Sequence, residues 1–227
     1  MIINILVDNP KSWIVPYAVK LKELLQRMGN KVYYYNKAEE IKQGELSFFL
    51  SCEKIVPKEI LAKSKHNLVV HESALPKGKG MSPLTWQILE GKNDIPITLF
   101  EAAEKVDSGS IYLQKVMHFQ GHELIDELRE VQGNTTVELI VEFIKKYPNV
   151  MSVEQKGDET FYSRRVPRDS ELDINKEIRE QFNLLRVVDN ERYPAFFNYR
   201  GCKYFIMIEK AKSNDVENPA EMLIGGR

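Results

Sequence analysis

The chain has 227 residues, 43% of them hydrophobic, so it is long enough to bury a core without disulfide bonds. Its 32 basic residues nearly cancel its 33 acidic ones, which leaves a formal net charge of −1. A dedicated nucleic-acid-binding protein usually carries a basic stripe, so we expect no nucleic-acid partner.

The amino terminus and the cysteines point to a cytoplasmic protein without a structural metal. The apolar run at residues 2–7 is too short for a signal peptide, and no run reaches the roughly 18 apolar residues of a membrane span. Cys52 and Cys202 stand alone, without a neighbouring cysteine at a metal-ligand spacing. We therefore expect no membrane partner, no metal site and no disulfide framework.

The first half of the chain alternates strands and helices. Short apolar runs predict strands at residues 2–7, 31–35, 46–50 and 68–71. Apolar side chains at helical spacing predict helices at residues 13–28 and 57–62. After a loop rich in glycine and proline at 74–83, the pattern continues with a helix at 83–90, strands at 97–100 and 110–119, and helices at 123–131 and 136–147. The alternation predicts an α/β fold with a mostly parallel sheet and helices on both faces.

The tail reads as a second, smaller unit. A helical stripe is expected through Ile174, Ile178, Phe182 and Leu185. Residues 193–198 and 203–208 predict a β-hairpin that turns at Arg200 and Gly201. We therefore divide the chain into a domain at 1–150 and a small helix-and-hairpin subdomain at 151–227.

Two polar residues stand where chemistry is expected. His71 ends an apolar strand, and in open α/β sheets ligands bind beyond the carboxyl ends of the strands. A titratable ring in that position is suited to general acid–base work near neutral pH. Asp107 lies in a tight turn before a strand. Position alone leaves two alternatives open: a satisfied histidine at a strand end and an aspartate that serves the turn.

Several segments, in order along the chain, carry a wider resemblance. They are HESALP at 71–76, Gly80, SPLTW at 82–86, PITL at 96–99 and DSGSI at 107–111. Together they resemble the N10-formyltetrahydrofolate-dependent formyltransferases, whose core reads Asn-x-His-x-Ser-Leu-Leu-Pro, then a glycine-rich loop, a threonine-bearing strand and Asp-x-Gly. The resemblance implies a Rossmann-like catalytic domain at 1–150 that transfers a formyl group.

The resemblance also implies the catalytic roles. His71 would shuttle protons or bind the oxyanion, and Asp107 would orient it. The family's asparagine, two residues before the histidine, is Val69 here, and a valine side chain donates no hydrogen bond. Asn67 lies four residues before His71, too deep in the strand, so Ser73 or a loop N–H group is the better substitute.

The cofactor implied by the resemblance is N10-formyltetrahydrofolate. The positions that match the family's folate-binding loops are Lys54, Ile55, Val56, Met81, Ala103, Glu104, Lys105, Val106 and Asp107. Because the family binds the pterin ring mainly through main-chain groups, Lys54 and Lys105 read equally well as solvated lysines.

The tail of the chain and the loop after His71 indicate which acceptor receives the formyl group. Arg164 to Asp169 and the Tyr-Pro segment at 193–197 resemble the second domain of the sugar N-formyltransferases. The tail is shorter than that of the tRNA enzymes, which also favours a sugar. Candidate substrate contacts are Ser73, Lys77, Lys79 and Tyr193, with the two lysines on a mobile loop near a diphosphate.

These features predict formyl transfer to the amine of a nucleotide-linked amino sugar, for example a UDP-linked 4-amino-4,6-dideoxy sugar. The alternatives are an enzyme that resembles methionyl-tRNA formyltransferase, a formyl-folate hydrolase, and a catalytically silent protein that binds folate or nucleotide. The resemblance leaves a homodimer open.

Overall fold

The computed structural model describes residues 1–211. It contains two compact units, one spanning residues 1–165 and a second that begins at Val166. The division falls later than residue 150 because Val153 forms a β-bridge with Ile111, and residues 161–162 pair with residues 79–80. Residues 151–165 therefore belong to the first unit. Among the described residues, no helix is long and apolar enough to cross a membrane.

The first unit is built on a six-stranded sheet. In spatial order its strands are β2 (Lys31–Tyr35), β1 (Ile2–Leu6), β3 (Gly44–Phe49), β4 (Ser64–His71), β6 (Asp94–Glu101) and β7 (Ile111–His118). The first four are parallel, whereas β6 pairs antiparallel with both β4 and β7. The predicted α/β class with a mostly parallel sheet is confirmed.

Successive side chains of the central strands enter two different cores. Ile5, Phe48 and Val70 contribute to a cluster with α1 (Val15–Arg27) and α4 (Ile125–Lys146). Leu6 and Phe49, one residue further along, contribute to a second cluster with Ile60 of the short helix α2 (Lys58–Leu61). Because strand side chains alternate between faces, helices cover both faces of the sheet, as predicted.

The prediction of two helices at 123–131 and 136–147 is wrong, because α4 is a single helix of 22 residues. Gly133, which falls between the two predicted helices, lies inside it. A Cβ atom at Gly133 would lie 2.4 Å from the ring of Tyr17, so the glycine lets α1 pack directly against the α4 backbone. The close packing offsets the poor helix propensity of glycine.

The 78–81 loop is paired rather than free. Its strand β5 (Lys79–Gly80) forms a two-stranded parallel sheet with β8 (Phe161–Tyr162). Helix α3 (Pro83–Leu89) follows directly. The loop after His71 is thus bounded by a strand pairing and a helix.

The second unit contains the predicted hairpin, β9 (Ala195–Tyr199) and β10 (Cys202–Ile206). The predicted helical stripe is wrong at its start: Ile174 and Ile178 are exposed, and the α-helix α5 covers only Phe182–Val187. Leu185 and Phe182 pack with Leu172 and Ala195 in a small core of this unit.

Candidate active site

His71 is the last residue of β4 and is buried, with 7% of its surface exposed. Its Nε2 lies 2.7 Å from the carbonyl oxygen of Gly78, and its ring meets Phe100 edge to face at 6.5 Å. A carbonyl oxygen only accepts hydrogen bonds, so Nε2 carries a proton and, in the neutral ring, Nδ1 holds the lone pair. The loop backbone therefore fixes the tautomer of His71.

Asp107 lies near His71 although its loop does not begin at the carboxyl end of β4. Because β6 runs antiparallel to β4, with Glu101 opposite Leu68, the loop at 102–110 leaves the sheet beside the middle of β4. It nevertheless brings Asp107 Oδ2 to 3.9 Å from His71 Nε2. That separation is too long for a hydrogen bond but suits an ion pair with a protonated ring.

The Asp107 carboxylate accepts a hydrogen bond from the loop after His71 rather than from the His71 ring. Its Oδ2 accepts from the backbone N–H of Gly80 at 2.9 Å. Its backbone has φ of 51°, the left-handed region that few residues other than glycine adopt. The backbone thus projects the Asp107 carboxylate onto the loop that follows His71.

The position of the family asparagine lies in an apolar environment. Val69 packs against the cluster that contains Phe49 and Ile60. The Asn67 amide is held against α2, because its Nδ2 donates to the carbonyl of Leu61 at 2.9 Å. Ser73 Oγ, in contrast, is buried and has no hydrogen-bond partner among the described residues.

The predicted folate loops are held by polar contacts and expose several apolar side chains. Asp8 accepts from the backbone N–H groups of Glu53 and Lys54, which fixes the loop after β3. Lys58 and Glu104 form an ion pair that links this loop to the loop at 102–110. The apolar side chains that remain exposed are Ile55, Met81 and Val106, whereas Val56 packs into the core beside Ile60.

The remaining matches to the folate loops lie on the 102–110 loop. Ala103 and Glu104 follow Ala102, whose backbone N–H donates to the carbonyl of Asn67 at 2.6 Å. Lys105 pairs with Glu159.

The two predicted substrate lysines lie in different environments. Lys77 is exposed, whereas Lys79 is 1% exposed and pairs with Glu159 at 2.7 Å. A buried, paired lysine is not placed to meet a diphosphate, and the strand pairing of Lys79 departs from the expected mobile loop. Tyr193 belongs to the second unit, where its backbone pairs with Asp189.

Sequence reasoning missed the residues that hold the site together. Thr98, fully buried, donates from Oγ1 to the carbonyl of Ser73 at 2.6 Å. Gln132 of α4 donates to Glu72 Oε1 at 2.6 Å. Gln155 donates to the carbonyls of Asp107 and Gly109. Thr98 lies in the PITL segment, but its contact with Ser73 is not visible from the sequence, whereas Gln132 and Gln155 lie outside every matched segment and no local pattern marks them.

A polar cavity of about 340 Å³ lies beside the Asp107 turn. Its lining includes Lys79, Gly109, Gln155 and Glu159. Within residues 1–211, no group of three or more His, Cys, Asp or Glu side chains is arranged to hold a metal ion. The arrangement therefore offers a histidine, a carboxylate and a buried hydroxyl for acid–base chemistry.

The formyl transferase family matches residues 34–144, a region that includes His71 and Asp107. The methionyl-tRNA formyltransferase of Thermodesulfovibrio yellowstonii is 31% identical over 145 residues, which make up 63% of this chain and 47% of that protein. The chain spans about half the length of the curated relatives it matches.

Solved structures have the same fold. A methionyl-tRNA formyltransferase from Clostridium thermocellum has a TM-score of 0.78 at 23% identity, over 93% of both chains. A 4-N formyltransferase from Francisella tularensis has a TM-score of 0.72 at 19% identity, over 93% of this chain and 98% of that one. At these identities the likeness supports the α/β fold and leaves the acceptor to be argued separately.

Proposed function

We propose that this chain, which matches the formyl transferase family over residues 34–144, transfers a formyl group from N10-formyltetrahydrofolate to the amine of a nucleotide-linked amino sugar. The observation that carries the proposal is the approach of Asp107 to the buried ring of His71, within the region that matches the family. An exposed turn aspartate and a histidine satisfied by the core would not need to lie together.

When bound, N10-formyltetrahydrofolate supplies the formyl carbon and the leaving nitrogen. The predicted folate loops fit such a molecule. Ile55, Met81 and Val106 offer exposed apolar surface for a flat ring, with 78%, 36% and 46% of their surfaces accessible. The exposed Lys54 suits the carboxylates of the folate tail.

The residues of the chain would transfer a proton and stabilise two charges, the protonated His71 ring and the oxyanion. The amine nitrogen bonds to the formyl carbon while the bond from that carbon to the leaving nitrogen breaks, so the amine loses a proton and the leaving nitrogen gains one. His71, with Nε2 held by Gly78, has its Nδ1 lone pair for this transfer. Asp107 stabilises the ring in its charged form.

Ser73 is the side chain proposed to replace the missing asparagine as donor to the oxyanion. Its Oγ has no hydrogen-bond partner among residues 1–211, whereas Asn67 is engaged with Leu61. Removing one such donor costs on the order of 10²- to 10³-fold in rate. Ser73→Ala should therefore slow transfer, and Val69→Asn in the same chain should restore part of the loss.

The sugar acceptor is supported by the net charge of −1 and by the resemblance of Arg164 to Asp169 and of the Tyr-Pro segment at 193–197 to the second domain of the sugar N-formyltransferases. A second acceptor, methionyl-tRNA, is favoured by the names of the relatives that match in sequence. A basic protein surface favours binding of the tRNA phosphates, whereas this chain has a formal net charge of −1. We therefore place the sugar first.

The test is a formylation assay with purified protein and N10-formyltetrahydrofolate. The acceptors are UDP-, dTDP- and GDP-linked 4-amino sugars and methionyl-tRNA, and mass spectrometry detects the added formyl group. The proposal expects a formylated sugar that disappears in His71→Ala. The exposed His118, which pairs with Asp94, provides the matched control: His118→Ala should remain active. If the protein binds folate but forms no product, the proposed formyl transfer is rejected. If only methionyl-tRNA is formylated, tRNA and not a sugar is the acceptor.

A further inference from the structure

A segment that lies outside the family match contacts both loops of the site. Residues 153–162, here called the crossing segment, begin at Val153, which exchanges two backbone hydrogen bonds of 2.8 Å with Ile111. They end in the pairing of β8 with β5. The crossing segment thus connects the start of β7 to the loop after His71.

At one end, Gln155 holds the Asp107 turn. Its Nε2 donates to the carbonyl of Asp107 at 2.9 Å and to the carbonyl of Gly109 at 2.8 Å. These carbonyls flank Ser108, so one side-chain amide fixes the turn on both sides. The left-handed backbone of Asp107 is therefore held from outside its own loop.

At the other end, Thr160 holds the residue that binds the histidine. Its Oγ1 accepts from the backbone N–H of Gly78 at 2.8 Å, while the Gly78 carbonyl accepts from His71 Nε2 at 2.7 Å. The carbonyl of Thr160 also accepts from the N–H of Lys79 at 2.9 Å. Gly78 is thus fixed by Thr160 on one side and by the ring on the other.

Between these two anchors, Glu159 joins the loops by charge. It pairs with Lys79 of the first loop at 2.7 Å and with Lys105 of the second at 2.9 Å. The two lysines hold the pKa of Glu159 below its usual value. Three residues of the crossing segment therefore contact the loops that carry the catalytic pair.

We propose that the crossing segment sets the separation of His71 and Asp107, with Gln155 and Thr160 as positioning residues for the reaction. The 3.9 Å between Nε2 and Oδ2 is too long for a hydrogen bond, so the two side chains do not fix each other. Their geometry comes from the anchoring of their loops. The inference rests on the proposed function in one respect, the assignment of this pair as catalytic.

Kinetics of Gln155→Ala and Thr160→Val in the full chain test the proposal. A displacement of about 1 Å can cost on the order of 100-fold in rate, so kcat should fall by about 10- to 100-fold with KM for both substrates unchanged. Thr160→Ser, which keeps the hydroxyl, should retain the wild-type kcat. Gln43→Ala, at an exposed glutamine of the same unit, is the control. An unchanged kcat, or a Thr160→Ser variant as slow as Thr160→Val, would overturn the proposal.

Hydrogen exchange gives a readout that needs no activity. Thr160→Val should speed exchange of the Gly78 amide, and Gln155→Ala that of the Gly80 amide, whose acceptor is Asp107, each by about tenfold as followed by NMR. If the wild type forms no product, the proposed function fails, and this measurement still decides the role of the crossing segment. Unchanged exchange at both amides would refute that role.

Discussion

Residues 72–73, directly after His71, and the loop that carries Asp107 are held by different parts of the first unit. Ser73, in the first loop, is tied to the sheet by Thr98, whose side chain is fully buried. Glu72 is tied to two helices through Gln87 and Gln132. The Asp107 loop has exposed side chains such as Val106, and Gln155 of the crossing segment holds its turn.

This difference predicts that substitutions near the two loops change different quantities, the free energy of unfolding in one case and the rate of formyl transfer in the other. The partners of residues 72–73, which are Gln87, Thr98 and Gln132, are buried, so their loss should lower the free energy of unfolding. Gln155, which holds the Asp107 turn, is only half-buried, so its loss should change the geometry of the His71–Asp107 pair more than the stability of the unit. The variants below test that separation.

Asp107→Asn should have the largest effect. The amide oxygen can still accept from the Gly80 N–H, so the turn is kept while the charge is lost. Since acid–base catalysis contributes about 10²- to 10⁴-fold, kcat/KM for formyl transfer should fall in that range. The melting temperature should stay at the wild-type value.

The control for this variant is Asp94→Asn. Asp94 and His118 lie closer, at 2.7 Å, but both side chains are more than two thirds exposed. Full activity of Asp94→Asn beside a slow Asp107→Asn would assign the effect to the buried pair. Equal activity of the two variants would remove Asp107 from the mechanism.

Gly109→Ala should impair both rate and stability. A Cβ atom there would lie 1.8 Å from the carbonyl oxygen of Glu101, so the backbone of β6 or of the turn must shift. Overpacking of this kind costs about 3 kcal/mol at the upper end of its usual range. Urea unfolding and steady-state kinetics on the same preparation measure both effects.

Gly29→Ala is the comparison for that cost. Gly29 has φ of 83° and no atom within 4 Å of a Cβ position, so only the backbone conformation is penalised, by about 1 kcal/mol. If Gly109→Ala were no more harmful than Gly29→Ala, the close approach to Glu101 would not restrain the Asp107 turn.

Thr98→Val should act mainly by lowering the free energy of unfolding. The valine has the same shape but leaves the carbonyl of Ser73 and the Gln114 amide without their partner. A buried group without a partner costs roughly 1 to 3 kcal/mol, which urea unfolding detects. Thr98→Ser keeps the hydroxyl and should recover most of the loss, and a Thr98→Val variant as stable as wild type would contradict core anchoring of the first loop.

The same comparison explains what the sequence could reveal. The parallel strands and His71 were predictable, because apolar runs mark buried strands and the carboxyl end of a parallel strand is a known ligand-binding place. The match of HESALP and DSGSI to a family identified Asp107 as well. No rule of sheet topology leads to the approach of Asp107, since its loop leaves an antiparallel hairpin beside the middle of β4.

Other features depended on contacts between distant residues. Gly133 reads as a helix breaker until Tyr17 is seen against it. Lys79 reads as a surface charge until Glu159, eighty residues later, is seen to pair with it. Gln155 and Thr160 act on backbone groups, which leave no trace in side-chain patterns.

The smallest expected effect is a change in the pH dependence of stability in Glu72→Gln. Burial raises the pKa of the Glu72 carboxyl above its ordinary value of 4.5, although the neighbouring His71 charge and the Gln132 amide lower it in part. A carboxyl with a raised pKa binds its proton more tightly in the folded state. Its contribution to stability is therefore present below pH 4.5 and is lost as the pH rises through the folded pKa.

Glutamine at position 72 keeps the oxygen that accepts from Gln132 and cannot ionise. The free energy of unfolding of Glu72→Gln, measured in urea from pH 4 to pH 8, should therefore gain on the wild type as the pH rises. Each unit of pKa difference corresponds to about 1.4 kcal/mol. If the two curves run parallel, Glu72 ionises alike in the folded and unfolded chains, and the first loop does not hold a buried carboxyl.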